Sequence, residues 1–299
     1  MKARISDIKH VAVHDGDGIR TTVFFKGCPL ACLWCHNPEG ISGKPELAYY
    51  ENKCLGCMEC TAVCRRGAHS SDGFHTFDRS LCVGCGACES VCLGDALKFY
   101  GREVTLEQLL PQLLEDRAFY ENSGGGVTLS GGECLQQPEF CEALLKALKA
   151  EGIHTAVDTC GFVSRAVLDR VAPYTDIFLY DLKAFDEAVH IRCTGQSNKI
   201  ILENLCYLES LGKPCEIRIP FVPGCNSDAG NMEKTGAFLG RLNIGKVKLL
   251  PYHSLARNKY AALQMEDTMP RAETPSEEEM AAALDILKKY GLDAHSGRE

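Results

Sequence analysis

Cys28, Cys32 and Cys35 stand in the run GCPLACLWCHNPEG, a C-x3-C-x2-C spacing near the N-terminus. Three thiolates hold a cubane [4Fe-4S] cluster by three of its four irons and leave the fourth open, as an open catalytic zinc site keeps one position free. An iron with a free position binds a small molecule and passes it an electron. The triad therefore points to chemistry rather than to electron storage. A zinc site is the competing assignment, but it wants a fourth protein ligand. His36, directly after Cys35, is badly placed to close the same tetrahedron.

A second cysteine pattern occurs twice. Residues 54–64 read CLGCMECTAVC and residues 82–92 read CVGCGACESVC, both C-x2-C-x2-C-x3-C. This is two-cluster ferredoxin spacing, in which the last cysteine of each run ligates the other run's cluster. One [4Fe-4S] cluster is then expected on Cys54, Cys57, Cys60 and Cys92, and another on Cys82, Cys85, Cys88 and Cys64, making three with the triad. The alternative is a pair of zinc knuckles. Arg65 and Leu93 replace the usual proline after each run, at a turn position that ligates nothing. The remaining seven of the 18 cysteines (Cys134, Cys141, Cys160, Cys193, Cys206, Cys215 and Cys225) show no ligand spacing and read as small buried apolar residues.

Composition narrows the class. A charge of -8 on 299 residues argues against nucleic-acid binding, which needs a basic surface. No secretory signal and no apolar run long enough to span a bilayer are evident, so a soluble cytoplasmic chain with no membrane partner is expected. In that compartment regularly spaced cysteines mean metal rather than disulfides, and the cell should be anaerobic or strongly reducing.

The elements that must position these groups alternate. Apolar, β-branched runs at 22–25, 127–130, 155–158, 177–181, 216–220 and 247–251 predict six strands. Amphipathic stretches at 105–122, 135–151, 164–172, 200–211, 231–242 and 276–290 predict helices between them. Thr105 with Gln108, and Ser276 with Glu279, are placed as capping boxes, and Gly152, Gly212 and Gly291 as C-terminal stops. Strands alternating with helices imply an α/β fold with parallel strands, either a partial (β/α)6 barrel or a doubly wound sheet. The eight-cysteine segment interrupts it as an insertion. The expected domains are 1–49 with 101–299, and 50–100.

In either architecture the strand C-termini form the functional face. The first strand leads through Lys26 into the triad. The second ends in SGGE, where Gly131 and Gly132 admit a ligand close to the backbone and Glu133 adds a carboxylate. The third ends at Asp158 in DTCGF, and the fourth in YDLK with Asp181 and Lys183 on one side. The fifth carries Arg218 and the last puts His253 at the rim. Such a set grips a zwitterion bearing an amino group, a carboxylate and a sulfonium. Trp34, inside the triad, stacks on a purine.

The triad followed by SGGE, DTCGF, YDLK and LLPYH resembles the radical S-adenosylmethionine (SAM) enzymes. The opening HDGDGIRTTVFFKGCPLACLWCHNPEG is similar to the signature of glycyl-radical-enzyme activating enzymes, with Asp17 in place of a common proline and Cys134 following SGGE. The eight-cysteine segment resembles the ferredoxin-like insertion of their longer subtype. The resemblance implies a partial (β/α)6 barrel of radical SAM type, with SAM as cofactor. It places Gly131, Gly132 and Glu133 at the methionyl amino end, Lys183 and Arg218 at its carboxylate, and His253 at the ribose. Asp158 and Asp181, with backbone near Thr159 and Leu179, match a monovalent-cation site (Na+ or K+), and Asp15 a residue near the incoming glycine loop.

The implied reaction is reductive cleavage of SAM to methionine and a 5′-deoxyadenosyl radical, which takes an α-hydrogen from a backbone glycine of a partner glycyl radical enzyme. Hydroxyproline, propanediol and glycerol dehydratases and choline lyase are the expected kinds of partner, with flavodoxin or ferredoxin as electron donor and a monomeric activase. Two other functions compete: a radical SAM enzyme with a different substrate, and a multi-cluster electron-transfer protein without catalysis. The second leaves the triad and the charged strand ends unexplained.

Overall fold

The computed structural model describes residues 1–71 and 74–297. Asp72 and Gly73, within the expected insertion, and Arg298 and Glu299, at the end of the expected barrel segment, lie outside the described residues. The strands are β1 (Lys2–Ala12), β2 (Arg20–Phe25), β3 (Glu46–Tyr49), β4 (His69–Ser71), β5 (His75–Phe77), β6 (Leu97–Tyr100), β7 (Arg102–Thr105), β8 (Gly126–Gly131), β9 (His154–Thr159), β10 (Ile177–Asp181), β11 (Cys215–Phe221), β12 (Lys246–Pro251) and β13 (Ala294–Ser296). Nine of them form one sheet in the order β13-β12-β11-β10-β9-β8-β2-β1-β7. From β2 to β13 every neighbouring pair is parallel, whereas β1 pairs antiparallel with both β2 and β7.

The six strands that the sequence pattern predicts are β2 and β8 to β12. Their inward residues Val23, Leu129, Val157, Phe178, Ile217 and Leu249 are fully buried in one apolar core. Helices cover them as a parallel sheet requires. Truncating a side chain such as Phe178 to Ala would cost about 3–5 kcal/mol. Both capping boxes form, at Thr105 with Gln108 and at Ser276 with Glu279. Gly152, Gly212 and Gly291 take positive φ at 72, 66 and 78° after their helices.

One expected helix is divided. The 105–122 stretch forms Leu106–Leu114 and Arg117–Ser123, the first with Pro111 inside it. Asp116 sits at the break, where its carboxylate accepts from Thr21 Oγ1 at 2.5 Å and meets His10 Nδ1 at 2.5 Å. The side chain ties the turn to β2 and β1 instead of continuing the helix. The antiparallel β1 and β7 and the short β13 extend the six-strand expectation at both edges.

The segment from β3 to β6 is built differently. β3 pairs with β6 and β4 with β5, both antiparallel. The two cysteine runs repeat one backbone trace. A 3-10 turn, Glu51–Lys53 or Arg79–Leu81, delivers Cys54 or Cys82 in extended conformation, and each run closes on an extended Cys64 or Cys92. One buried apolar cluster here gathers Leu47, Ala68, Phe77 and Leu97 with Cys60 and Cys88, while Ala48 and Tyr100 are buried against Ala262 and Leu263.

Candidate active site

The C-termini of the parallel strands surround a cavity of 320 Å³ lined by Cys28, Cys32, Cys35, Trp34, Asp15, Gly131, Gly132, Asp158, Asp181, Lys183 and Arg218, among others. The loop after β2 carries the thiols. It closes on itself where Gly27 N donates to Gly40 O at 2.8 Å and Cys28 N to Ile41 O at 3.0 Å. Helix Glu187–Thr194 supports it from outside, accepting Ala31 N at Thr194 O and Leu33 N at Cys193 O. Trp34 is buried against Val222, Tyr252 and Tyr260.

The SGGE run joins the second strand end to this loop. Gly131 has φ 117°, and a Cβ there would lie 2.2 Å from Phe25 N; one on Gly132 would lie 2.3 Å from Gly40 O. No side chain fits at either position without moving backbone. Gly132 N donates to Phe25 O at 2.9 Å and Glu133 N to Gly27 O at 2.8 Å. The Glu133 carboxylate turns away from the cavity. It accepts from Thr159 Oγ1 at 2.8 and 2.9 Å, from Cys160 N at 2.8 Å and from Leu135 N at 3.1 Å. Burial pushes its acidity toward the neutral form while these hydrogen bonds oppose the shift. It braces β8 against β9.

Three charged strand ends face the cavity together. Asp158 Oδ2 accepts from Ser130 Oγ at 2.6 Å, while Asp158 Oδ1 is buried without a partner among the described residues. Burial first, then the charge of Asp181, push the Asp158 carboxyl up to about 7, against the opposing pull of Arg218. Lys183 Nζ lies 2.5 Å from Asp181 Oδ2. Burial alone would lower this ammonium, but Asp181 holds it upward, so Lys183 is charged. Arg218 donates through Nε to Glu216 Oε1 at 3.1 Å and through a terminal nitrogen to His14 O at 2.9 Å. Asp15, on the same N-terminal loop, accepts from Thr22 Oγ1 at 2.7 Å.

His253 stands one step back. Its ring stacks on His36 at 4.1 Å, with 18° between the planes. Its carbonyl accepts from His36 Nε2 at 3.0 Å, and its own Nδ1 is buried without a partner. Burial, then the neighbouring imidazole, lower His36 to about 4, so this ring is neutral. His36, Ser130, Cys160 and Tyr252 also line the cavity. Sequence patterning gave none of them a role, although Ser130 and Cys160 lie inside SGGE and DTCGF and His36 directly follows the triad.

The donor set suits an iron-sulfur cluster with an added zwitterion. Burial raises all three thiols, Cys32 to about 12. They become thiolates only when a metal displaces the proton. Lys183 and Arg218 offer positive charge, the glycine pair offers bare backbone, and Asp158 Oδ1 is an acceptor still to be used.

Two further cavities lie in the β3–β6 segment. One is lined by Cys54, Cys57, Cys60 and Cys92, the other by Cys64, Cys82, Cys85 and Cys88. Backbone N–H groups of Ala68, Gly84 and Ala96 point at the sulfurs of Cys64, Cys82 and Cys92, at 3.3, 3.4 and 3.3 Å. Such donors favour the charged thiolate. His69 and His75 bring ring nitrogens within 4.8 Å of each other and of Cys60 Sγ. Of the cysteines without ligand spacing, Cys134, Cys141, Cys160, Cys193 and Cys215 are buried, and Cys206 and Cys225 half-buried.

A three-thiol site at the mouth of a parallel α/β sheet defines a class, and comparison with known proteins agrees. Residues 22–231 match the Radical SAM superfamily. The trans-4-hydroxy-L-proline dehydratase activating enzyme of Clostridioides difficile is 41% identical over 99% of this chain and 100% of its own length. The choline trimethylamine-lyase activating enzyme of Oleidesulfovibrio alaskensis is 40% identical over 97% of this chain and 96% of its own. A crystallised domain of a pyruvate-formate lyase-activating enzyme from Bacteroides vulgatus superposes with TM-score 0.50 at 36% identity, covering 58% of this chain and 99% of that one. The chain belongs to the radical SAM superfamily and, within it, to the activating enzymes of glycyl radical enzymes. That membership implies SAM and a [4Fe-4S] cluster. Among the described residues, no helix is long and apolar enough to cross a membrane.

Proposed function

We propose that this chain activates a partner glycyl radical enzyme, and that it is of the longer, three-cluster subtype. The observation that carries the proposal is the meeting of three thiols, two bare glycines and the charged ends of β9, β10 and β11 around one 320 Å³ cavity. When bound, the reduced cluster and SAM supply one electron to the sulfonium C–S bond, methionine, and a 5′-deoxyadenosyl radical that takes one α-hydrogen from a backbone glycine.

The chain positions the reacting atoms and keeps water out. Cys28, Cys32 and Cys35 hold three irons. The Gly131–Gly132 backbone, with Glu133 bracing it from behind, meets the amino end of SAM. Lys183 and Arg218 take its carboxylate side and Trp34 the purine. His253 acts on the ribose side through the ring it stacks on His36. Asp158 and Asp181, with backbone at Thr159 and Leu179, hold a Na+ or K+ ion, and the unpartnered Asp158 Oδ1 supports that assignment. Asp15 faces the incoming glycine loop.

The residues around 50–100 form a ferredoxin-like insertion with two [4Fe-4S] clusters, one on Cys54, Cys57, Cys60 and Cys92, the other on Cys82, Cys85, Cys88 and Cys64. The repeated backbone trace and the two four-cysteine cavities support this arrangement. The enzyme works as a cytoplasmic monomer that takes electrons from flavodoxin or ferredoxin. Its relatives serve a hydroxyproline dehydratase and a choline lyase, so the partner is sought among such enzymes and the propanediol and glycerol dehydratases.

The test is anaerobic reconstitution with iron and sulfide, reduction, addition of SAM, and quantification of 5′-deoxyadenosine with and without candidate partners, the partner being read by EPR. Cleavage with a glycyl doublet in one partner is the expected result. Cleavage with no doublet in any candidate would shift the substrate elsewhere. No cleavage from a fully loaded, reduced protein would overturn the proposal.

A further inference from the structure

Behind the triad the loop residues His36 to Gly40 meet a cation from a distant part of the chain. Lys259, on helix Arg257–Ala262, places Nζ 2.6 Å from Glu39 Oε1, 3.0 Å from His36 O and 3.1 Å from Asn37 Oδ1. Glu39 is 8% exposed, and its other oxygen, Oε2, is buried without a partner among the described residues. Lys26 approaches the same residue but donates to its backbone carbonyl at 2.6 Å, and spends its charge on Glu46 at 2.8 Å. The Glu39 carboxylate therefore has Lys259 as its ion-pair partner.

The helix that carries Lys259 is held on both sides. Tyr260 Oη donates to Cys35 O at 3.0 Å. Arg79 donates to Ala262 O at 3.4 Å, and Gln264 Nε2, just past the helix, donates to Phe77 O at 3.1 Å. The ammonium is thus fixed against the loop rather than free in solvent.

From this juxtaposition we propose that Lys259 and Glu39 are an opposed pair of positioning charges that sets the reduction potential of the cluster on Cys28, Cys32 and Cys35. Lys259 raises the potential and Glu39 lowers it. The proposal rests on the function proposed above. Reduction adds one negative charge to the cluster. A fixed cation nearby favours that state and a fixed anion opposes it, more strongly in a buried site than in water. Lys259 bonds the carbonyl of His36, the residue after Cys35, and its neighbour Tyr260 bonds the Cys35 carbonyl itself, so the pair lies directly behind the third thiol. Lys183 is a second cation near the triad, on the cavity side. It is exposed to the incoming cofactor, whereas the Lys259–Glu39 pair lies behind the loop.

The measurement is a potentiometric EPR titration of the reconstituted full-length protein, following the reduced signal that changes when SAM is added. The triad cluster alone should respond in this way. In Lys259→Met the reduced fraction at fixed solution potential should fall by about tenfold, equal to ~59 mV for a one-electron couple. Glu39→Gln should move it the other way, the double variant should return near the wild type, and Lys259→Arg should barely move. A clamp with no electrostatic role would lose cluster content or thermal stability without opposite shifts. Should Lys259→Met fail to load its cluster, Glu39→Gln carries the sign alone. Unchanged or lowered potential in loaded Glu39→Gln, or shifts of the same sign in both single variants, would overturn the pair. Absence of any SAM-responsive signal in the wild type would instead overturn the proposed function, and the pair with it.

Discussion

The triad and the eight-cysteine segment solve opposite problems with the same side chain. Around Cys28, Cys32 and Cys35 the parallel sheet delivers Asp158, Asp181, Lys183 and Arg218, so the thiols share their cavity with groups suited to a polar guest. Around the two sets of four, the cavity walls are mostly apolar: Leu47, Ala62, Val63 and Val83 on one side, Leu55, Val91, Ala96 and Leu97 on the other. Three thiols and charge leave an iron open to a ligand. Four thiols and apolar packing would close each proposed cluster and leave it only electrons to exchange.

The regions differ in what holds them together. The sheet rests on a continuous core running from Ala3 to Ala294. The β3–β6 segment has a small inner cluster in which two of six buried residues, Cys60 and Cys88, belong to the cysteine runs, and its Ala48 and Tyr100 pack instead on Ala262 and Leu263. A core of that size does not sustain a fold alone, so the clusters proposed for it would supply part of its stability.

The largest loss is expected at the triad. Replacing Cys32 by Ala should abolish SAM cleavage, remove the SAM-responsive EPR signal and lower iron by about four per chain, with the two other clusters retained. Residual cleavage with that signal intact would place the chemistry elsewhere. Chelation comes next. Stripping iron anaerobically should collapse amide-exchange protection of residues 46–100 while β8 to β12 stay protected. Equal loss in both regions would show that the segment and the sheet unfold together.

A smaller effect separates ligand binding from cluster holding. Lys183→Met leaves Asp181 unpaired and removes a cation from the cavity. The KM for SAM should rise about 10- to 100-fold, the equivalent of ~1.4–2.8 kcal/mol, with the cluster signal present. Loss of the cluster instead would make Lys183 a part of the loop's architecture.

Much of this contrast is legible in the sequence, because spacing encodes it. The cysteine runs, the six buried strands and the capping boxes are local patterns of period two, three or four. What escapes is made by residues far apart in the chain. Lys259 finds Glu39 across 220 positions and His253 stacks on His36 across 217. Helix Glu187–Thr194, which supports the triad loop, buries His190, Cys193 and Thr194 rather than an apolar stripe, so no periodicity announces it. β1 escapes for a related reason: KARISDIKHVA has exposed polar positions beside its few buried ones and lacks the apolar run of the central strands. The inward turn of Glu133 is equally invisible, since only the fold brings Thr159 and Cys160 to it.

The mildest substitutions decide whether the apolar sets of four serve the charged site at all. Cys57 and Cys85 are the exposed members of their sets, whereas Cys60 and Cys88 are buried. Serine at either exposed position perturbs one cluster with least damage to packing. If the segment conducts electrons to the triad, Cys57→Ser or Cys85→Ser should slow activation several-fold with flavodoxin or ferredoxin as donor, yet leave it unchanged with a strong small-molecule reductant that reaches the triad directly. The ratio of the two rates is the readout, since it cancels any general loss of active protein. A ratio unchanged from wild type, with both rates depressed together, would assign the segment to shaping the surface on which the partner docks. The helix Arg257–Ala262, held by Phe77 and Arg79 through Gln264 and Ala262 and by Cys35 through Tyr260, would then be the route by which its loss reaches the triad.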